Sequence, residues 1–317
     1  MRDGRPVALL RRRVLAGCAG LGAALWTPGW KPLAAAPADV ARLATRAIPH
    51  SGEALPVIGL GTANGFDKGD DPARQSARAA VIRTLVATGA TLIDTAPSYG
   101  GAEGVVGELV AEAGLRDRVF LATKLESYDR ASGPAALQAS LRRLRTGKLD
   151  LMQLHNVRDA SQDLAMLRDW KAQGLCRYTG ITTTYRGAFG AAEAVLRREK
   201  PDFLQIDYSL DDREAEKRVL PAAIEVGAAV LTALPFGRGR LFRAVQGKAV
   251  PDWAKEFGAA SWGQFFLKFL LGHPAVTAVI PGTTNPEHMA DNLGAGLGRA
   301  PDAAERRKMV DFITALG

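Results

Sequence analysis

Three short apolar runs in the first half of the chain each lead into a side chain that can hold or move a proton. Leu92-Ile93-Asp94 ends on a carboxylate and continues as Thr95-Ala96-Pro97-Ser98-Tyr99-Gly100, the run Val119 to Thr123 is followed by Lys124, and Leu151-Met152-Gln153-Leu154 is followed by His155. A carboxylate, a phenol, an ammonium and an imidazole suit the interconversion of a carbonyl and an alcohol. The developing alkoxide is unstable, so a proton donor or an oxyanion stabiliser must meet the oxygen. A tyrosine with an ordinary pKa near ~10 is too weak an acid and too weak a base for this without help. A neighbouring Lys124 ammonium is expected to favour the phenolate and lower that pKa, with Asp94 keeping the lysine charged and in place and His155 orienting the substrate oxygen. The same set run backwards oxidises an alcohol. Each residue alone has an ordinary structural explanation: a solvated strand end, a rim aromatic, a satisfied histidine. Their occurrence on successive strand ends is what argues for chemistry.

The elements that must hold them follow from the pattern of the chain. Past residue 48, apolar runs with strand character alternate with longer helical periods, roughly every 30 residues, which is the signature of βα units on a parallel sheet. The strand candidates are Val57–Gly61, Thr91–Asp94, Val119–Thr123, Leu149–Leu154, Tyr178–Ile181, Phe203–Asp207, Ala228–Thr232 and Val276–Ile280. Helices are expected between them, with glycine stops at Gly89, Gly114, Gly174 and Gly227, and a last amphipathic helix over Pro301–Leu316. Eight strands close an α/β fold of the (β/α)8 TIM-barrel type, in which the site is built at the C-terminal strand ends. Neighbouring strands lie about 4.8 Å apart, which brings the ends of the second, third and fourth within roughly 10 Å of one another. A doubly wound dinucleotide fold is disfavoured, because Gly59-Leu60-Gly61 followed by Gly65 misses the GxGxxG spacing. No His/Cys/Asp/Glu set has metal-ligand spacing, so no metal is expected, nor the carboxylate or metal constellation of a barrel isomerase or lyase. The long connection Pro235 to Ala260, rich in Gly, Arg and aromatics, is a candidate binding loop, whereas Trp253 and Trp262 are better read as helix packing than as pocket wall.

The net charge of +8 points at first to a polyanionic partner, but five of those charges lie in residues 1–36, where Arg2, Arg5, Arg11, Arg12, Arg13 and Lys31 face only Asp3. The remaining +3 argues for no nucleic-acid partner. Arg11-Arg12-Arg13, an apolar run from Val14 to Trp26 and small residues at Ala34, Ala35, Ala36 and Ala38 read as an export signal over residues 1–38, before a barrel over 39–317. The run is shorter than the ~20 apolar residues that span a bilayer, so no stable membrane insertion is expected after cleavage. The RRRVL pattern resembles a twin-arginine signal, making the twin-arginine export machinery a partner and a periplasmic or otherwise exported location the expectation. Cys176 is then the only cysteine left, which allows no intrachain disulfide.

The stretches LIDTAPSYGGAEGVVG (Leu92 to Gly107), ATKL (Ala122 to Leu125), DLMQLHN (Asp150 to Asn156) and IPGTTNPEHMADNLGA (Ile280 to Ala295) together resemble the aldo/keto reductase pattern, over essentially all of residues 48–317. That resemblance implies hydride transfer between NADP(H) or NAD(H) and a small-molecule carbonyl or alcohol, with Asp94, Tyr99, Lys124 and His155 as the catalytic tetrad. It implies cofactor contacts at Gly61 and Thr62, at Gln205 on the sixth strand, and at Thr182-Thr183, where the family's usual Ser-Asn pair holds the carboxamide. It places Tyr208 as the aromatic stacked on the nicotinamide. It places Leu234, Pro235, Phe236, Gly237 and Gly239 in a loop whose backbone N–H groups meet the pyrophosphate. Gly282, Thr283, Thr284, His288, Asp291 and Asn292 fall at the adenosine phosphate end.

Two departures stand out. Thr183 cannot supply both an amide donor and a carbonyl acceptor. The stretch Gly282 to Asn285 and His288 lack the Lys or Arg that usually meets a 2′-phosphate, which leaves the choice between NADP and NAD open unless Arg238, Arg240 or a protonated His288 compensates. The alternative from another class is a nucleotide-binding barrel without turnover, acting as a sensor or accessory protein; the intact tetrad counts against it. Short loops near Phe66 to Asp71 and Val157 to Ser161 suggest an open pocket for a polar or bulky substrate.

Overall fold

The computed structural model describes residues 42–67, 71–126 and 131–316. The export signal expected over residues 1–38 lies outside the described residues. The described residues form ten strands: β1 (Thr45–Ala47), β2 (Ala54–Pro56), β3 (Leu60–Gly61), β4 (Leu92–Asp94), β5 (Phe120–Leu125), β6 (Leu149–Leu154), β7 (Cys176–Thr183), β8 (Phe203–Asp207), β9 (Ala229–Ala233) and β10 (Val276–Val279). From β3 to β10 they pair in chain order, all parallel. Parallel bridges Ile58↔Val279 and Gly61↔Gly282 join the first of these strands to the last. The sheet therefore curls into the expected (β/α)8 architecture. At the seam, a Cβ on Gly61 would fall 2.8 Å from the carbonyl oxygen of Ile280, so only glycine lets the two backbones meet this closely.

From β3 on, each strand is followed by helix: α1 (Pro72–Ala87), α2 (Ala102–Glu112), α3 (Gly133–Arg143), α4 (Ala165–Ala172), α5 (Phe189–Glu199), α6 (Val219–Val226), α7 (Arg240–Ala244) and α8 (Trp262–Leu271) after β9, and α9 (Pro286–Gly294) and α10 (Ala303–Thr314) after β10. Their starts are written locally. The side chains of Asp71, Ser261, Asn285 and Asp302 cap α1, α8, α9 and α10, the last as a full capping box with Glu305. The four glycine stops read from the sequence all adopt positive φ.

Alternation along the strands sorts the apolar side chains into two layers. Leu92, Phe120, Leu151, Phe203 and Leu231 fill the barrel interior, while Ile93, Leu121, Met152, Leu204 and Val230 pack outward under the helices. Ile48 and Leu55 belong to the inner layer as well. They arrive on the antiparallel β1–β2 hairpin, which periodicity over a 48-residue start did not reveal, and Tyr178 Oη inside the barrel hydrogen-bonds Ser51 in its turn at 2.8 Å. The hairpin thus stops the N-terminal mouth and leaves the opposite end open. In the long connection, only the segment up to Gly239 borders the open end. The rest forms α7 and a 3₁₀ stretch, Asp252–Phe257, whose Trp253 packs edge-on against Phe257, Phe265 and Phe312. Trp262 likewise stacks on Phe266, so both tryptophans are packing residues. Among the described residues no helix is long and apolar enough to cross a membrane.

Candidate active site

Parallel register delivers the four candidate residues to one place. Asp94 is paired with Ala122 across β4–β5, and Lys124 with Gln153 across β5–β6, so successive strand ends step around the rim. Lys124 Nζ donates to Asp94 Oδ2 at 2.7 Å and to the Thr95 carbonyl at 2.9 Å, with both side chains essentially out of solvent. The same ammonium sits 4.8 Å from the centroid of the Tyr99 ring, and Tyr99 meets His155 edge to face at 5.9 Å. Gln153 Nε2 adds a long contact of 3.4 Å to the other oxygen of Asp94. Burial opposes the Lys124 charge, but Asp94 and then Tyr99 outweigh it and hold the ammonium above its ordinary pKa.

The electrostatics of Tyr99 differ from the expectation. Lys124 does pull its pKa down, yet burial of the phenol pushes it up by more, and Asp94 adds to the rise. Tyr99 is therefore held as a protonated phenol: suited to giving a proton, and a poor base until a further positive charge arrives.

A cavity of about 470 Å³ opens above these residues, within the range of small-molecule and cofactor sites. Asp94, Tyr99 and His155 line it, as do Gly61, Thr62, Gln205, Leu234, Pro235, Phe236, Gly239 and Gly282 among the residues expected to meet a cofactor. Gln205 lines the cavity, and its Nε2 is buried without a hydrogen-bond partner.

Other candidates are placed elsewhere. Tyr208, expected to stack on the nicotinamide, points away from the cavity. On β8 the inward positions are Phe203 and Gln205, so two-residue alternation turns Tyr208 outward, where it is fully buried, packs on Phe269 and bonds Glu216 and Arg306. Replacing Tyr208 with Phe should therefore cost about 1 kcal/mol of stability in urea melts and leave nucleotide affinity unchanged in a fluorescence titration; weakened affinity would contradict the placement. Thr182 accepts from the Asn156 amide at 2.9 Å and Thr183 is tied to the backbone of Tyr185, so neither lines the cavity. The Gly237 and Gly239 amides bond the carbonyls of Leu234 and Phe236 in successive turns, so these two N–H groups are already used.

At the expected adenosine end, Thr283 accepts from the Asn285 amide, Thr284 abuts Gly65, and Asp291 holds Ser261 and Gln264. Asn292 is buried and His288 exposed on α9; none of the five borders this cavity.

Asn64, Ser98, Asn156 and Thr184 also line the cavity and were not singled out from the sequence, whereas Arg238, weighed there as a compensating cation, does reach it. Arg238, between two glycines, takes φ +53° itself and puts a guanidinium on the cavity wall, whereas Arg240 is committed to Asp211 at 2.7 Å. Glu126 is the other omission. Its carboxylate meets His155 Nδ1 at 2.7 Å and accepts from the Ser98 amide at 3.2 Å. Position alone, two residues past Lys124, was the available signal.

Comparison with known proteins points to one family. A family model described as the aldo/keto reductase family matches residues 57–303. Methylglyoxal reductase YeaE of Escherichia coli is 32% identical over 253 residues, covering 77% of this chain and 87% of that protein. An aldo/keto reductase from Klebsiella pneumoniae, solved in complex with NADP and acetate, superposes with a TM-score of 0.69 at 28% identity, covering 83% of this chain and 93% of that one. A Klebsiella pneumoniae aldo-keto reductase in complex with NADPH gives 0.70 at 26% identity, covering 87% and 96%.

Proposed function

The chain belongs to the aldo/keto reductase family, and we propose that it moves hydride between a bound nicotinamide and a carbonyl or alcohol, with Tyr99 as the proton donor. It is an NAD(P)-dependent oxidoreductase acting on carbonyl groups. The observation that carries the assignment of roles is the Lys124 ammonium held between Asp94 Oδ2, at 2.7 Å, and the ring of Tyr99, at the floor of the cavity. When bound, the dihydronicotinamide supplies the hydride. The chain's own residues do the rest: Tyr99 gives a proton to the carbonyl oxygen, Lys124 stabilises the phenolate left behind, Asp94 keeps Lys124 charged, and His155 orients the oxygen.

The residues present fit a nicotinamide nucleotide. Gln205 Nε2, unpartnered and buried, suits a carboxamide oxygen, and Arg238 brings positive charge to the wall where phosphates would lie. The choice between the two nucleotides turns on that end of the site. The first turn of α9 carries Glu287 and no cation, so Arg238 is the cation on the cavity wall available to a phosphorylated nucleotide. Purified protein is expected to oxidise NADPH or NADH in the presence of a carbonyl panel, followed by absorbance. Nucleotide binding with no turnover across the panel would instead favour a sensor or accessory barrel.

Our reading includes export through the twin-arginine route, supported by the RRRVL motif and the small-residue stretch that follows it. That route carries folded proteins, so a nucleotide bound in the cytoplasm would travel with the chain. Tight retention follows, with one substrate oxidised and another reduced on the same bound nucleotide. Mass spectrometry of nucleotide released from protein taken from the periplasm tests this; rapid exchange with added nucleotide would refute it.

A further inference from the structure

We propose that Asn156 is a nucleotide-binding residue: with Gln205 it holds the nicotinamide carboxamide, its Nδ2 donating to the carboxamide oxygen. The proposal rests on the nucleotide-binding part of the reading above and adds a residue to it.

The backbone makes the first part of the argument. Successive residues of a strand face opposite sides, so a regular continuation of β6 past His155 would turn the next side chain away from the site. His155 and Asn156 nonetheless both line the cavity. Asn156 takes φ +53°, a left-handed conformation that asparagine tolerates better than most residues, and this breaks the alternation. Such a conformation persists only where the surroundings enforce it. Here Thr182 does so: its Oγ1 accepts from the Asn156 amide at 2.9 Å, and its carbonyl accepts from the Val157 amide at 2.8 Å.

The neighbouring threonine fixes the side chain. The backbone amide of Thr184 donates to Asn156 Oδ1 at 3.4 Å, and the Thr184 hydroxyl approaches the same oxygen at 3.5 Å. A backbone N–H can only donate, so the oxygen of the side-chain amide is the atom turned to Thr184, and Nδ2 is turned away from it. Among the described residues Nδ2 has no hydrogen-bond partner. Thr182 is also the register partner of Gln205 across β7–β8. It therefore stands between Gln205 on one side and Asn156 on the other, and both of these line the cavity. Gln205 Nε2 is likewise without a partner. Two unused amide donors on either side of one strand end suit an acceptor with two lone pairs in a plane, which is what a carboxamide oxygen offers. The reacting oxygen is met instead by Tyr99, which arrives from the β4 end. Thr182, whose hydroxyl is occupied, thus serves the nucleotide through the Asn156 that it places.

The test is a binding measurement that needs no turnover. ADP-ribose carries the adenosine and both phosphates but no nicotinamide ring, so calorimetric titrations with NADPH, NADH and ADP-ribose separate the carboxamide from the rest of the nucleotide. Asn156→Gly keeps the left-handed backbone and removes the side-chain amide. It should weaken NADPH and NADH about five- to tenfold and leave ADP-ribose affinity as in wild type. Asn156→Asp keeps an oxygen for Thr184 and loses the donor, and should show a loss at least as large. Unchanged NADPH and NADH affinity in Asn156→Gly, an equal loss for ADP-ribose, or wild-type affinity in Asn156→Asp would overturn the proposal. Because the contact is read without turnover, the expected losses in a protein that reduces no carbonyl would sink the oxidoreductase reading alone, and unmoved affinities in an active enzyme would sink only this one.

Discussion

Tyr99→Phe should lower kcat for carbonyl reduction by about 10²–10⁴-fold while leaving nucleotide affinity intact. The variant keeps the ring that faces His155 edge-on and lies over Lys124, and removes only the hydroxyl that gives the proton. Burial holds that hydroxyl protonated despite Lys124, so the loss falls on the step in which the oxygen becomes an alcohol. Single-turnover kinetics with preloaded nucleotide, together with a fluorescence titration for affinity, separate that step from binding. Near-normal turnover in this variant would remove Tyr99 from the reaction.

The second large effect concerns stability as well as rate. Lys124→Met strands Asp94 as a buried carboxylate with only the 3.4 Å contact from Gln153 beside it, and breaking a buried pair in this way costs about 3–5 kcal/mol. Urea unfolding should show that loss, and activity should fall with it because nothing then stabilises the phenolate. Pairing the change with Asp94→Asn separates the two consequences. The double variant should recover most of the stability, since no unpaired charge is buried, and none of the activity. Equal stability of Lys124→Met and wild type would mean that water enters the site freely enough to solvate Asp94, in conflict with the exclusion that makes Tyr99 a protonated phenol.

These expectations depend on two kinds of information. Asp94, Lys124 and His155 could be found by reading, because a parallel barrel turns a linear order of strands into an angular order of strand ends, and each of the three stands at or just past an apolar run. Helix ends were legible at Gly89, Gly114, Gly174 and Gly227 for a similar reason, since a glycine stop acts within a few residues, as do the caps Asp71, Ser261 and Asn285 that the structure adds. What such local rules determined was the eightfold alternation, the rim on which the site sits, and the identity of its reacting groups.

Tertiary structure alone decided which way individual side chains face and what they touch. Tyr208 looks like a ring for stacking until the alternation begun at Phe203 turns it under the helices. The Thr182-Thr183 pair is absorbed by its own turn and by Asn156, and the lysine that should acidify Tyr99 is outweighed by the burial that surrounds both. Glu126 meets His155 from a different strand end, 29 positions away in the chain. Burial and long-range contact are sums over the whole packed barrel; residue types and spacing limit them but do not set their balance.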